Sequence, residues 1–170
     1  MSGQDIDPLV AASDPAMVIV TTTAEGAPAG CLVGFHSQSS MAGPPHYCVW
    51  LSKANHTYRV ALRASHLAVH FLGREDRSLA EHFGTRSGED CDKFEGLQVE
   101  KGEHGVPLLG DCPHQLVLER LVVVDDGGDH VCFTGRVLQV RGEDELTPLR
   151  LSDVMHLRAG RAAEERSVHP

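Results

Sequence analysis

Two stretches of the chain bring together side chains that could bind an anion. Residues 30–40 run from small apolar residues into a serine-rich segment, and residues 52–57 read Ser-Lys-Ala-Asn-His-Thr at the expected start of a helix. Backbone N–H groups at a helix start, short hydroxyls and a lysine suit a phosphate monoester. Since the chain has no P-loop or dinucleotide glycine fingerprint, these stretches predict a phosphate-binding cradle of another kind.

Each of these features also has a simpler explanation. The serine-rich segment could be a polar turn, and Ser52 or Asn55 could cap the following helix. Arg86, in a loop flanked by glycines, is most often a solvated surface residue, and His130 after a glycine-rich hairpin is uninformative by itself. A capped helix start is itself a site for anions, so the simpler explanations are compatible with a phosphate site.

Other chemistries find less support in the sequence. Among eleven histidines, His66 and His70 lie four residues apart on a predicted strand, roughly 13 Å at about 3.3 Å per residue, which is too far to share a metal ion. The chain has no H-E-x-x-H, no C-x-x-C and no G-x-S-x-G nucleophile elbow. Its five cysteines are interpreted as free thiols. We therefore predict no metal site.

The composition predicts one globular domain that binds neither nucleic acid nor membrane. The 170 residues are 41% hydrophobic and 23% charged, with a formal net charge of −9. Nucleic acids and anionic membranes are bound through basic surfaces, which this charge disfavours. No apolar run approaches the roughly 20 residues of a membrane span, and the acidic first residues do not resemble a signal peptide, so we expect a cytoplasmic location.

Strands dominate the predicted secondary structure. Alternation and β-branched residues predict strands over residues 17–22, 28–35, 46–51, 66–72, 116–124 and 131–140. Helices are predicted over residues 54–64, 77–83 and 89–94, with a short edge strand over 98–100. Residues 148–161 fit either a strand or a helix. Consecutive hairpins, the last one turning at residues 125–129, favour a small antiparallel barrel with helices over its ends.

Six short motifs occur in an order that is shared with a known family. Residues 30–39 are followed by a Pro-Pro pair at 44–45, and residues 53–57 come after the next strand. The remaining motifs lie at residues 68–72, 79–83, 105–109 and 128–137. Each motif is weak alone, but together, over residues 15–140, the chain resembles the flavin reductase-like family of FMN-binding split barrels.

This resemblance implies a mainly β fold, an antiparallel six-stranded split β-barrel of Greek-key type with short capping helices. The barrel domain would span residues 15–160, between a lead-in at 1–14 and a tail at 161–170. The resemblance also implies a homodimer that binds FMN, or FAD as an alternative, near the subunit interface. NADH or NADPH would give a hydride to the flavin, and the acceptors would then be free flavin, oxygen, a metal complex or a partner oxygenase.

The resemblance also indicates which residues form the site. We predict His130 as the catalytic residue, which positions the nicotinamide or stabilises negative charge on the reduced flavin. The predicted flavin-binding residues are Cys31, Leu32, Val33, Ser37, Gln38, Ser39, Ser52, Lys53, Asn55, His56, Thr57 and Arg86. The chain departs from the family pattern at Leu32, where the family has threonine, and in extra residues before Pro44.

Two other functions stay open from the sequence. The chain could be an FMN-bound electron-transfer flavoprotein that reduces another acceptor, or a flavin-binding module without catalysis. Copurification of flavin separates these flavin-binding functions from a barrel that has lost flavin and serves as an interaction module. Oxidation of nicotinamide with added free FMN separates a flavin reductase from an electron carrier.

Overall fold

The computed structural model of the protein describes residues 5–142 and 145–160. In this part the chain forms nine strands: β1 Val18–Ala24, β2 Ala27–Val33, β3 His36–Ser40, β4 His46–Ser52, β5 His66–Phe71, β6 Val99–Lys101, β7 Pro107–Leu109, β8 Gln115–Val124 and β9 His130–Arg141. It also forms four α-helices: α1 Asp7–Ser13, α2 His56–Ala61, α3 Arg77–Thr85 and α4 Leu151–Val154. The predicted tail at 161–170 lies outside the described residues.

Seven of these strands form one antiparallel sheet in the order β2–β1–β5–β8–β9–β4–β3. Its edge strands, β2 and β3, follow each other along the chain with Gly34 and Phe35 between them. Strands so close in sequence can lie at opposite edges of this sheet because the sheet curls round on itself. The N–H of Trp50 on β4 donates to the carbonyl of Phe35 at 2.9 Å, and this bond fixes the connection between β2 and β3 to β4. The mainly β, antiparallel barrel predicted from the sequence is confirmed.

The strand count differs from the six strands that the resemblance implies. The predicted strand over residues 28–35 ends at Val33, and the serine-rich segment forms the separate strand β3, which pairs with β4. The side chains of β3 are all polar and mostly exposed. A polar edge strand lacks the apolar alternation that marks strands in a sequence, which is why a polar turn is an equally open interpretation of this segment.

The helix predictions hold for two segments and are wrong for a third. α2 lies inside the predicted helix at 54–64, and α3 covers the one at 77–83, but residues 89–94 form only turns. The undecided segment at 148–161 makes isolated bridges from Pro148 and Arg150 and then forms α4. In the described part of the chain no helix is long and apolar enough to cross a membrane.

The ribbon of β6 and β7 covers the outer face of the barrel at β5. The predicted alternation of β5 is confirmed on the inner face, where Leu67 and Val69 are buried in the barrel core. On the outer face, Ala68 is buried with Val106 and Leu108. The short strands of this ribbon gave little sequence signal, so its packing on β5 was not predicted.

His70, on the covered face of β5, is fully buried between two backbone groups. Its Nδ1–H donates to the carbonyl of Ile19 at 3.2 Å, and its Nε2 accepts from the N–H of Leu109 at 3.1 Å. Burial lowers the pKa of His70 to about 4, because the charged imidazole would lose its hydration. Both hydrogen bonds fit the neutral ring, so His70 joins β1, β5 and β7 in its uncharged form.

We predict that His70 makes the protein less stable in mild acid. Its pKa is about 4 in the folded chain against 6.5 ordinarily, so as the pH falls the unfolded chain takes up the proton first. The stabilisation is complete above pH 6.5 and falls by about 3 kcal/mol by pH 4. Urea unfolding at two pH values within this window tests it. His70→Gln should lose less stability between them than the wild type, and an equal loss would contradict the assignment.

Candidate functional site

A cavity of about 620 Å³ lies at one end of the barrel. Its lining comes from β2, β4, β9 and the start of α2, from the end of α3 with the following turn, and from the segments around α1 and α4. The volume is within the range of about 300–1,000 Å³ that is usual for small-molecule sites. The structure brings eight of the predicted site residues to this cavity: Cys31, Leu32, Ser52, Asn55, His56, Thr57, Arg86 and His130.

Four other predicted residues, on β2 and β3, do not line the cavity. Val33 is buried in the barrel core. Ser37 Oγ donates to the carbonyl of Gln38 at 3.0 Å, and Gln38 Nε2 donates to the carbonyl of Ser40 at 3.1 Å. Ser39 is exposed on the same strand. The polar groups of β3 thus bond locally along the sheet edge, and their predicted contact with flavin stays a prediction.

Lys53, predicted as the cation of the phosphate cradle, also lies off the cavity lining. Its ammonium is 2.9 Å from Oδ1 of Asp125, in the turn between β8 and β9. Its backbone N–H donates to the carbonyl of Asp129 at 2.9 Å. The hydrogen bond from Lys53 is the main reason that the pKa of Asp125 is lowered. The charge of Lys53 is therefore already paired within the protein.

Polar side chains gather where the start of α2 meets the turn after α3. Ser52 Oγ accepts from the N–H of Ala54 at 3.3 Å in the turn before α2, so Ser52 does not cap the helix, whose N-cap is Asn55. The side chain of Asn55 makes no capping hydrogen bond, although Asn55 is the N-cap of α2. It lines the cavity instead. We call the following group of cavity-lining residues the polar corner: Asn55, His56, Thr57, Arg86, Ser87 and Lys93.

Cys31 and His56 are uncharged members of this region. The thiol of Cys31 contacts the side chains of Thr57 and Asn55, and burial raises the pKa of Cys31, so the thiol stays protonated at neutral pH. Burial, with help from the charge of Arg59, lowers the pKa of His56. A Cβ at Gly88 would lie 2.9 Å from His56 Cδ2, so the absence of a side chain at Gly88 leaves room for the imidazole.

Lys93, in the polar corner, was not among the predicted site residues. Lys93 is 6% exposed, and its Nζ donates to the carbonyls of Phe83 at 2.8 Å and Gly30 at 2.9 Å. Lysine is almost never fully buried, so a lysine in a polar segment is taken for a solvated side chain. The apolar neighbour Phe94, which packs against a core cluster, was the available signal that this turn folds inward.

The segments around α1 and α4 supply an apolar wall to the cavity, a role that the sequence did not predict. We call this set of lining residues the apolar wall: Val10, Ala11, Leu151, Val154 and Leu157. Asp14 joins these two segments, because its carboxylate accepts both the N–H and the hydroxyl of Ser152, each at 2.8 Å. These bonds from Ser152 lower the pKa of Asp14.

His130 reaches the cavity from the first position of β9, opposite Ser52 on β4. Its Nδ1 is 2.8 Å from Oδ1 of Asp129, and this contact lowers the pKa of the Asp129 carboxyl. The ring meets Phe35 edge-on, with centroids 5.0 Å apart. Its Nε2 has no protein partner among residues 5–142 and 145–160, so this atom can bond to solvent or to a ligand.

The fold and the cavity together define a class of protein. A curled antiparallel barrel carries at one end a cavity of nucleotide size, with an apolar wall and a polar corner that holds two cationic side chains. A planar ring that is joined to a phosphate suits this mixed lining. Within the described ranges, no three His, Cys, Asp or Glu side chains come together in a way that could hold a metal ion. The chain is thus a split-barrel protein of the nucleotide-binding class.

Comparison with known proteins gives the family. The flavin reductase like domain family matches residues 13–157, and the chain belongs to this family. Membership confirms the resemblance and the oxidoreductase class that the sequence predicts.

The relatives of the chain include named reductases. A ferric-chelate reductase (NAD(P)H) of Archaeoglobus fulgidus is 23% identical over 154 residues, 90% of each chain. The reductase component of a 4-nitrophenol 4-monooxygenase/4-nitrocatechol 2-monooxygenase of Rhodococcus opacus is 31% identical over 127 residues, 74% of this chain and 64% of the relative. The chain spans between 42% and 90% of the length of three curated relatives.

The fold has solved counterparts. The crystal structure of an FMN-binding protein from Thermus thermophilus, with bound 1-cyclohex-2-enone, matches with a TM-score of 0.69 and 28% identity. The match covers 75% of this chain and 70% of that one.

We predict that the hydroxyls of the polar corner bind the ligand and those of β3 do not. Thr57→Val removes one buried hydroxyl and keeps the shape of the side chain, so it should weaken FMN binding about 5- to 10-fold. Ser39→Ala removes a hydroxyl from β3 and should leave the affinity within about twofold. Flavin fluorescence titration measures both. A loss of affinity in Ser39→Ala with none in Thr57→Val would indicate that β3 binds the ligand and would contradict this prediction.

Proposed function

We propose that the protein is an FMN-binding flavin reductase that transfers a hydride from NADH or NADPH to flavin, with FAD as an alternative flavin. The observation that carries the proposal is the mixed lining of the cavity in a chain of the flavin reductase like domain family. The names of the relatives, an NAD(P)H-dependent reductase and the reductase component of a monooxygenase, support it.

The lining fits the two ends of FMN. The apolar wall, together with Phe83, offers aliphatic and aromatic surface to a flat ring. The polar corner offers the cations of Lys93 and Arg86 and the hydroxyls of Ser87 and Thr57 to a phosphate. Their contacts with the nucleotide belong to the proposal.

The protein's contribution to the chemistry is orientation and stabilisation of negative charge. When bound, the flavin would take up a hydride from a reduced nicotinamide and pass the electrons on. Asp129 accepts from Nδ1–H of His130 and so holds the ring with Nε2 towards the cavity. The same carboxylate stabilises the ring with Nε2 protonated, and Nε2–H would then donate towards the negative charge that hydride transfer leaves on the flavin. His130 is therefore proposed as the catalytic residue and Asp129 as its positioning residue.

The candidate functions differ in their electron acceptor. Free flavin is the acceptor of a flavin reductase, whereas the relatives' names point to a ferric chelate and to a partner oxygenase. An FMN-bound electron-transfer flavoprotein that reduces such an acceptor is the second candidate function. A flavin-binding module without catalysis is the third.

We also propose a homodimer. Several apolar side chains on β8 and β9 are exposed, among them Val122 at 52%, Val124 at 50% and Val140 at 69%. Exposed apolar surface on neighbouring strands is often covered by a second subunit. The cytoplasmic location and the domain limits at 15–160 stay predictions from the sequence.

An anaerobic titration tests the proposed function. The protein is loaded with FMN and mixed with NADH or NADPH, and the flavin absorption band should bleach. Excess free FMN should then be reduced over many turnovers. Reduction that stops after one equivalent of bound FMN would favour the electron-transfer flavoprotein. Binding of FMN without bleaching by either nicotinamide would contradict both redox functions.

We predict that the Asp129–His130 pair sets the rate of flavin reduction. His130→Asn and Asp129→Asn should each slow reduction of bound FMN about 10- to 100-fold, because one removes the ring that opposes the negative charge of the reduced flavin and the other removes the carboxylate that holds and stabilises this ring. FMN affinity should stay within about threefold, since neither side chain belongs to the polar corner. Asp126→Asn is the matched control on the same turn, where the amide oxygen can still accept from the N–H of Gly128. If both variants are reduced at the wild-type rate in stopped-flow experiments, the pair has only a structural role.

A further inference from the structure

Lys93 is a buried cation without a counter-ion in the described part of the chain. It is 6% exposed, and Nζ donates to the carbonyls of Phe83 and Gly30. An ammonium has three N–H groups, so one donor is left without a protein acceptor among the described residues. None of the ion pairs that these residues form includes Lys93.

The position of this charge is unfavourable for the protein alone. An ammonium loses its hydration on burial, and two carbonyl dipoles compensate for only part of that loss. Burial accordingly lowers the pKa of Lys93, and the groups that oppose this shift are the thiols of Cys31 and Cys91 rather than carboxylates. A negative charge beside Nζ would remove the imbalance.

The groups around Lys93 suit an anion that enters from the cavity. Arg86 lines the same corner and takes part in no ion pair within the described ranges. The hydroxyls of Ser87 and Thr57 and the amide of Asn55 line it as well. Two cations with neutral hydrogen-bond donors around them are complementary to a phosphate monoester.

We propose that Lys93 is the counter-ion of the ligand's phosphate, and that it recognises the phosphate of FMN in place of Lys53. This assignment rests on the proposed function and deepens it. Lys53 is paired with Asp125 at 2.9 Å and does not line the cavity, whereas Lys93 lines it and has a donor to spare. The bonds to Phe83 and Gly30 hold Nζ in place before the ligand arrives, which reduces the entropy lost on binding.

Binding of FMN and of riboflavin, which has the same ring and ribityl chain without phosphate, tests the assignment. Calorimetry is done on the wild type, on Lys93→Gln, which keeps a hydrogen-bond donor without the charge, and on Lys93→Arg, which keeps the charge. We expect Lys93→Gln to weaken FMN binding about 10- to 100-fold and riboflavin binding less than about threefold, with Lys93→Arg affected less. Lys101→Met, an exposed lysine on β6, removes the same charge and should change neither affinity.

The other outcomes separate this assignment from the proposed function. Equal losses for FMN and riboflavin in Lys93→Gln would make Lys93 a structural link between α3 and β2 and would overturn the proposal. A selective loss of FMN in Lys53→Gln, with Lys93→Gln unaffected, would return the phosphate to Lys53. A wild-type protein that binds neither flavin would contradict the proposed function and this assignment with it.

A crystal structure of the wild-type protein with FMN decides the question even where Lys93→Gln does not fold. A distance of about 2.7–3.2 Å between Nζ and a phosphate oxygen supports the proposal. Bonds from Nζ to Phe83 and Gly30 alone, with the phosphate elsewhere, would overturn it.

Discussion

The site depends on the short connection between β2 and β3, the strands at the two edges of the sheet. Because Gly34 and Phe35 alone join two strands at opposite edges of the sheet, the sheet has to close on itself. Closure brings Cys31 of β2 to the same cavity as Ser52 and His130, which the register of β4 with β9 sets opposite each other. A longer connection would permit an open sheet, and the cavity would then lose its β2 side.

The contact between α3 and β2 shows how packing and charge are combined at the cavity. A Cβ at Gly30 would lie 2.8 Å from the ring of Phe83, so the helix can approach the strand closely only because Gly30 has no side chain. Lys93 then bonds the carbonyls of both Gly30 and Phe83. Phe83 lies near the end of α3, where a cation is favourable, and this offsets part of the cost of burying the ammonium.

The sequence predicted the elements that have a strong local signal and missed those that depend on tertiary packing. The long strands, α2 and α3 were predicted because alternation and short motifs are local properties, and eight of the residues predicted for the site line the cavity. β3 was missed because its side chains are polar. Lys93 was missed because a lysine in a polar segment is expected on the surface, and only Phe94 beside it indicates a turn that folds inward. The apolar wall was missed because its packing over the cavity depends on contacts between segments that are far apart in sequence. His70 was placed on the correct strand, but its burial depends on the distant β7.

The charges around the cavity influence where the phosphate end and where the ring end of a nucleotide can bind. The chain has a formal net charge of −9, so a phosphate is repelled at long range and must be held by local groups. Around His130, the cation of Lys53 is already paired with Asp125, and the carboxylate of Asp129 adds negative charge. At the polar corner, Lys93 and Arg86 have no ion-pair partner in the part of the chain that is described. These charges favour a phosphate at the polar corner, and under the proposed function the ring end of the same molecule would then lie at the apolar wall and His130.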